Sequence, residues 1–299
     1  MYEYIKTVVP EERILFHQPM KEYTTFRVGG EAECLVLIQQ EEELAKLISY
    51  LNQIEQDYFI LGNGSNLLVG DKGYRGIILK LDGPMEQITT EGTRITAKAG
   101  ALLSRVAVAA KENSLTGLEF AAGIPGSIGG GVVMNAGAYD GEMKQVVESV
   151  KVMDGNGQIA VLDNDTMEFG YRTSIIKSRP FIVLEVVLQL AEGHCEQIGA
   201  KMEELANLRR SKQPLEYPSA GSTFKRPEGY YAGKLIMDAG LRGYRIGGAQ
   251  VADKHCGFVI NTGKATAADI KEVIEEVQER VRDRFHVFLE PEVVFLGDF

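Results

Sequence analysis

Apolar positions recur along this chain with two periods. Residues 41–53 (EEELAKLISYLNQ) place Leu44, Leu47, Ile48 and Leu51 at i, i+3, i+4 and i+7, which predicts an amphipathic helix with that face buried. The same spacing in Ile270, Val273, Ile274, Val277 and Val281 predicts a helix opened by Thr266, whose T-A-A-D run is a capping box. Residues 195–210 carry Ile198, Met202, Leu205 and Leu208 in helical register. Residues 102–112 and 230–240 read as shorter helices, the second with a glycine stop. Short apolar or alternating runs at 34–39, 59–62, 76–81, 94–99, 148–153, 158–162 and 181–190 predict strands. Residues 286–297 read as a strand pair around Pro291, and 113–141 as irregular, glycine-rich chain. Strict strand–helix alternation is missing, so the expected fold class is α+β on both sides of a composition break near 190–195. That break divides the chain into an expected first domain at 1–192 and a second at 193–299, with the last strand (about 291–299) returning to the first.

Composition narrows the function. The 299 residues are 44% hydrophobic and 25% charged, values that exclude a disordered, collagenous or coiled-coil chain. The net charge of −10 lacks the broad basic footprint of a nucleic-acid binder, so none is expected as a partner. No run approaches 18 apolar residues, and the start has neither a basic n-region nor an apolar h-region. Three cysteines without a CxxC fit reduced thiols, and a cytoplasmic location is the expectation. Glycine makes up 33 of 299 residues, about 11% against the usual ~7%, so some backbone must approach itself or a ligand closely.

Two glycine loops are the candidates. Gly62-Asn63-Gly64-Ser65-Asn66-Leu67 follows a predicted strand. Its glycines allow φ > 0 and a nest of N–H groups that binds phosphate oxygens without net positive charge; a tight hairpin turn would use the same residues. It lacks the third glycine of a dinucleotide fingerprint, and no P-loop GK[ST] occurs in the chain. The second stretch, 117–141, has eight glycines in 25 residues and is small and apolar rather than solvated. It fits a backbone packed against a flat or long ligand, or a buried crossing of two strands. His194-Cys195 and His255-Cys256 imitate metal ligands, but neighbours on a strand face opposite ways, and no metal site is expected.

Together the two loops resemble the flavin-binding segments of the PCMH-type (vanillyl-alcohol-oxidase type) FAD domain. More narrowly, with Tyr23–Gly30 (YTTFRVGG), Ser219–Lys225 (SAGSTFK) and Leu289–Val293 (LEPEV), they resemble the UDP-N-acetylenolpyruvoylglucosamine reductase family, in its shorter variant. Order and spacing match over nearly the whole chain. The resemblance implies a PCMH-type FAD domain of two subdomains, a C-terminal α+β substrate domain, dissociable FAD, NADPH as reductant and a UDP-sugar as substrate. It implies reduction of an enolpyruvyl ether to the muramate sugar of peptidoglycan precursors, with no protein partner and no membrane insertion evident. Matching positions put the cofactor on Gly62, Asn63, Gly64, Ser65, Asn66, Leu67, Gly123, Ile124, Gly126, Ser127 and Gly130. They make Arg172, Ser222 and Glu292 catalytic: a planar fork for the substrate carboxylate, a proton donor, and a carboxyl that steadies the enol. Tyr171, Lys212 and Lys225 are implied substrate contacts. Arg209 and Arg210 either join that basic cluster or complement a helix C-terminus. Two positions depart from the pattern: Arg226 stands where many members carry Asn, and Val294 where a basic residue is common. Without the resemblance, an oxidase on the same scaffold or a non-catalytic nucleotide module would remain open.

Overall fold

The computed structural model describes residues 1–299, which divide into two compact units interleaved in sequence. One comprises 1–16, 34–63 and 76–208; the other comprises 17–33, 64–75 and 209–299. The seven helices are α1 (Tyr2–Val8), α2 (Glu41–Gln53), α3 (Leu103–Glu112), α4 (Ile128–Val133), α5 (Cys195–Lys212), α6 (Ala232–Asp238) and α7 (Ala267–Phe285). No helix is long and apolar enough to cross a membrane.

The first unit is built on a five-stranded antiparallel sheet. Its order is Ile159–Asp163, Val147–Met153, Ile182–Gln189, Arg94–Lys98, Ile88–Glu91. The central strand (IVLEVVLQ) is a nearly continuous apolar run and is mostly buried. The edge strand Ile159–Asp163 looks similar in sequence but is exposed, Val161 at 67%. Most of a four-stranded sheet lies in this unit as well, where Tyr58–Leu61 pairs in parallel with Tyr74–Leu81. Helix α2 spans the residues that its periodicity predicts and buries Leu44, Leu47, Ile48 and Leu51. Gln40 and Glu43 form its capping box, and Glu43 also takes the Arg13 fork at 2.5 and 3.0 Å. Burial would push the Glu43 carboxyl up, but hydrogen bonds from Arg13 and the Gln39 and Gln40 N–H groups hold it below its ordinary value.

Residues 113–141 are less irregular than expected, because they contain α4. Its sequence, IGGGVV, has poor helix propensity. Tertiary packing overrides that cost. A Cβ on Gly129 would stand 2.9 Å from the Ala99 Cβ, and one on Gly131 would stand 2.9 Å from Leu103 Cδ1. The glycines let α4 lie directly against α3 and the sheet.

The second unit packs the antiparallel strands Arg245–Ile246, Ala249–Val251 and Val259–Asn261 onto α7. Helix α7 is capped as expected by Thr266 and Asp269. Asp71, far away in sequence, adds both carboxylate oxygens to its first N–H groups, 2.8 Å from Ala267 N and 2.8 Å from Ala268 N. Phe26, Ile236, Leu241, Ile270, Val273, Val277, Val281 and Leu289 form the core. The strand pair expected around Pro291 does not form. His286 ends α7 at φ +58, Phe288 is 66% exposed, and only Val294–Leu296 is a strand. That strand pairs in parallel with Leu67–Val69 instead. Pro291 has no N–H to donate and makes a single isolated bridge with Phe224.

Candidate active site

The two glycine loops meet at Gly62 and Asn63. The Asn63 amide donates to the Pro125 carbonyl, and the face of Gly62 that lacks a Cβ lies against Ser127 Oγ. Ser127, 3% exposed, caps α4 by accepting the Gly130 N–H at 3.3 Å. Gly130 itself is exposed. The Ile124 N–H goes to Ala121 O at 3.0 Å, and the Ile124 side chain packs on the core. In contrast, the N–H groups of Gly62, Asn63, Gly64, Ser65 and Asn66 donate to no backbone carbonyl, and neither do those of Gly123, Gly126 and Ser127. A buried N–H left without an acceptor costs roughly 1–3 kcal/mol. Unspent donors in each of these glycine-rich loops suit phosphate oxygens, so the donor set fits a dinucleotide cofactor. The remaining members of the first loop have fixed neighbours. Gly64, at φ +58, abuts the Tyr23 carbonyl. The Asn66 amide donates to Glu292 O at 2.9 Å, and Leu67 is buried in its strand.

Arg172 sits at the tip of a two-residue turn. Gly170 and Thr173 close it with reciprocal hydrogen bonds of 3.1 and 3.3 Å, leaving Tyr171 and Arg172 at the corner, Arg172 at φ +56. Arg172 Nη2 donates to the Gly137 carbonyl at 3.4 Å, and its guanidinium lies 5.2 Å from the centre of the exposed Tyr171 ring. The second glycine loop therefore supports both the Ser127 cap and the Arg172 fork, a link no local motif announces.

The segments that hold Ser222 and Glu292 are paired in the second unit, with Glu292 opposite Thr223. The segments holding them run antiparallel, joined by Glu292 N–H to Thr223 O at 2.8 Å and Lys225 N–H to Glu290 O at 2.9 Å. Ser222 is exposed and Glu292 half-buried. The neighbour Thr223 is fully buried and anchored twice: its N–H donates to Gly257 O and its Oγ1 accepts the Val259 N–H at 2.9 Å. Gly221, at φ +76, has open space where a Cβ would go.

Of the expected substrate contacts, Lys212 is exposed at the end of α5, and Lys225 is ion-paired with Glu290. Arg226 lies 3.9 Å over the Tyr231 ring. Three buried anchors belong to none of the expected site residues: Asn135 under the Arg172 turn, Thr223 beside Ser222, and Asn261. The Asn261 side chain donates to Phe26 O and accepts the Gly263 and Ala265 N–H groups. All three lie inside or next to the quoted motifs or strands, but only their burial marks them, since each is 5% exposed or less.

Comparison with known proteins matches two segments of the chain. A FAD binding domain model matches residues 32–163, and the C-terminal domain model of UDP-N-acetylenolpyruvoylglucosamine reductase matches 213–296. The reductase of that name from Caldanaerobacter subterraneus subsp. tengcongensis is 52% identical over 294 residues, covering 98% of this chain and 97% of the relative. One from Clostridium perfringens is 51% identical over 296 residues, covering 99% and 97%. The crystal structure of the Thermus caldophilus reductase superposes with a TM-score of 0.81 at 36% identity, covering 95% of this chain and 98% of that one. Similarity of this extent, along the whole length and over both domains in order, means that the chain belongs to the UDP-N-acetylenolpyruvoylglucosamine reductase family.

Proposed function

We infer that this chain is an FAD-containing, NADPH-dependent reductase that converts UDP-N-acetylglucosamine enolpyruvate to UDP-N-acetylmuramate in peptidoglycan precursor synthesis. The observation that carries this reading is the joined pair of glycine loops, whose unspent N–H groups suit a pyrophosphate in an acidic chain. Near-half identity to reductases of that name supports the substrate.

When bound, the flavin supplies the redox chemistry, passing hydride from NADPH to the enolpyruvyl ether. The chain's own residues orient, neutralise and protonate. Arg172 holds the substrate carboxylate through its fork, which favours the negative charge that develops on hydride addition. Ser222 delivers the proton to the adjacent carbon, and Glu292 steadies the enol. Thr223, held from both sides, fixes the backbone that presents Ser222. Tyr171, Lys212 and Lys225 contact the nucleotide sugar, and for Lys225 that means exchanging or sharing its Glu290 partner. The division of labour is FAD binding by 1–192 and substrate binding by 193–299, supported by the domain matches at 32–163 and 213–296. The partner is a small nucleotide sugar; the net charge of −10 argues against nucleic acid. A nucleotide-sugar substrate and three cysteines outside any disulfide support a cytoplasmic location.

The test is optical. The purified protein is expected to carry flavin absorbance, to bleach anaerobically with NADPH and to recover when the enolpyruvyl UDP-sugar is added. Recovery with oxygen and peroxide release, but not with that sugar, would overturn the reading.

A further inference from the structure

Asn135 has no part in the chemistry above, yet its side chain is among the most constrained in the protein. It is 1% exposed and sits at φ +42, a conformation asparagine tolerates better than most residues. Its amide is fully committed. Nδ2 donates to the Gly170 carbonyl at 3.1 Å and to a Glu142 carboxylate oxygen at 3.1 Å. Oδ1 accepts the Lys144 N–H at 2.9 Å. Two acceptors on one side and an N–H on the other allow a single orientation, since a flipped amide would set oxygen against oxygen twice.

The Gly170 carbonyl is also the corner of the turn that carries Arg172, where it accepts the Thr173 N–H. On the far side of the turn, Ser174 Oγ donates to Val133 O at 3.0 Å. Arg172 Nη2 leans on Gly137 O, two residues beyond Asn135. The turn is thus tied to the second glycine loop at its base and its tip, and the Asn135 amide makes the tie at Gly170.

We propose that Asn135 is a positioning residue for the reaction: through the Gly170 carbonyl it sets where the Arg172 guanidinium stands. The inference rests on the reading that Arg172 holds the substrate carboxylate. A fork must meet a carboxylate in plane, and a displacement of about 1 Å in such a group can cost on the order of 100-fold. The reciprocal Gly170–Thr173 bonds preserve the shape of the turn but not its place relative to the loop; Asn135 fixes that place at Gly170, beside the Ser174 tie to Val133.

The experiment uses the holoenzyme in stopped flow, following flavin absorbance through each half-reaction. Asn135→Asp changes one atom, keeps the acceptor for Lys144 and removes both donors; Asn135→Ser is a smaller second variant. For either, reduction by NADPH is expected within about two-fold of native. Reoxidation by UDP-N-acetylglucosamine enolpyruvate should fall about 10- to 100-fold in kcat/KM, mostly through KM. In an Arg172→Ala background the same change should cost less than about two-fold more, because the residue it acts through is gone. Native reoxidation in both Asn135 variants, equal slowing of both half-reactions, or a loss that multiplies that of Arg172→Ala would overturn the proposal. Native reoxidation in Arg172→Ala alone would instead overturn the role given to Arg172.

Discussion

Substituting Gly62 by alanine tests whether the joined loops hold the cofactor. The φ of Gly62 lies outside the left-handed region, so alanine brings no backbone strain. The effect comes from one contact: the new Cβ would stand 2.5 Å from Ser127 Oγ and 3.6 Å from Ser127 Cβ. Only the oxygen is too close. It must retreat about 1 Å to reach ordinary contact, which takes it from the Gly130 N–H it caps at 3.3 Å. Losing that cap costs roughly 1 kcal/mol. The apoprotein can relax by letting the loops separate, but the bound flavin requires them together. That cost, roughly 1 kcal/mol, therefore appears in FAD affinity as a weakening of about 5-fold. Titration of apoprotein with FAD, read by flavin fluorescence, measures it. Ser127→Ala supplies the control, because it removes the clashing oxygen and leaves a 3.6 Å contact. In that background Gly62→Ala should cost less than about 0.5 kcal/mol. Native affinity in Gly62→Ala, or full additivity in the double variant, would refute the argument.

Ser222→Ala should leave bleaching by NADPH nearly native and slow reoxidation by the enolpyruvyl sugar by about 100-fold or more; equal slowing of both halves would argue against a proton donor. Asp71→Ala removes two acceptors at the start of α7 while the Thr266 box remains, and should lower stability by about 1–2 kcal/mol in urea titration; an unchanged midpoint would show that water replaces the carboxylate at no cost. Glu41 accepts from Lys98 at 2.7 Å and Lys151 at 2.6 Å. Burial would raise its carboxyl, but those hydrogen bonds outweigh it and hold the group below its ordinary 4.5. A carboxyl depressed by folding stabilises above its unfolded value, and that contribution is lost as pH falls through the folded one. Glu41→Gln should therefore be less stable than native at pH 7 and converge with it below 4.5; a gap independent of pH would mean that the charge is not what stabilises.

What the sequence determined by itself is local. Helix α2 and the capped start of α7 were legible because a 3.6-residue period and a capping box are settled within one or two turns of chain. The family was legible too, from motifs in fixed order around Arg172, Ser222 and Glu292. Tertiary structure decided the rest. Helix α4 forms in a run of three glycines whose outer two, Gly129 and Gly131, lie where Ala99 and Leu103 leave no space for a side chain, a fact absent from its own composition. Val294–Leu296 pairs with Leu67–Val69 rather than with the residues just before it, because a parallel partner must come from elsewhere in the chain. Asn63 finds Pro125 across 62 residues and Asn135 finds Gly170 across 35. An amide fits many acceptors equally well, and only chain closure selects the one within reach.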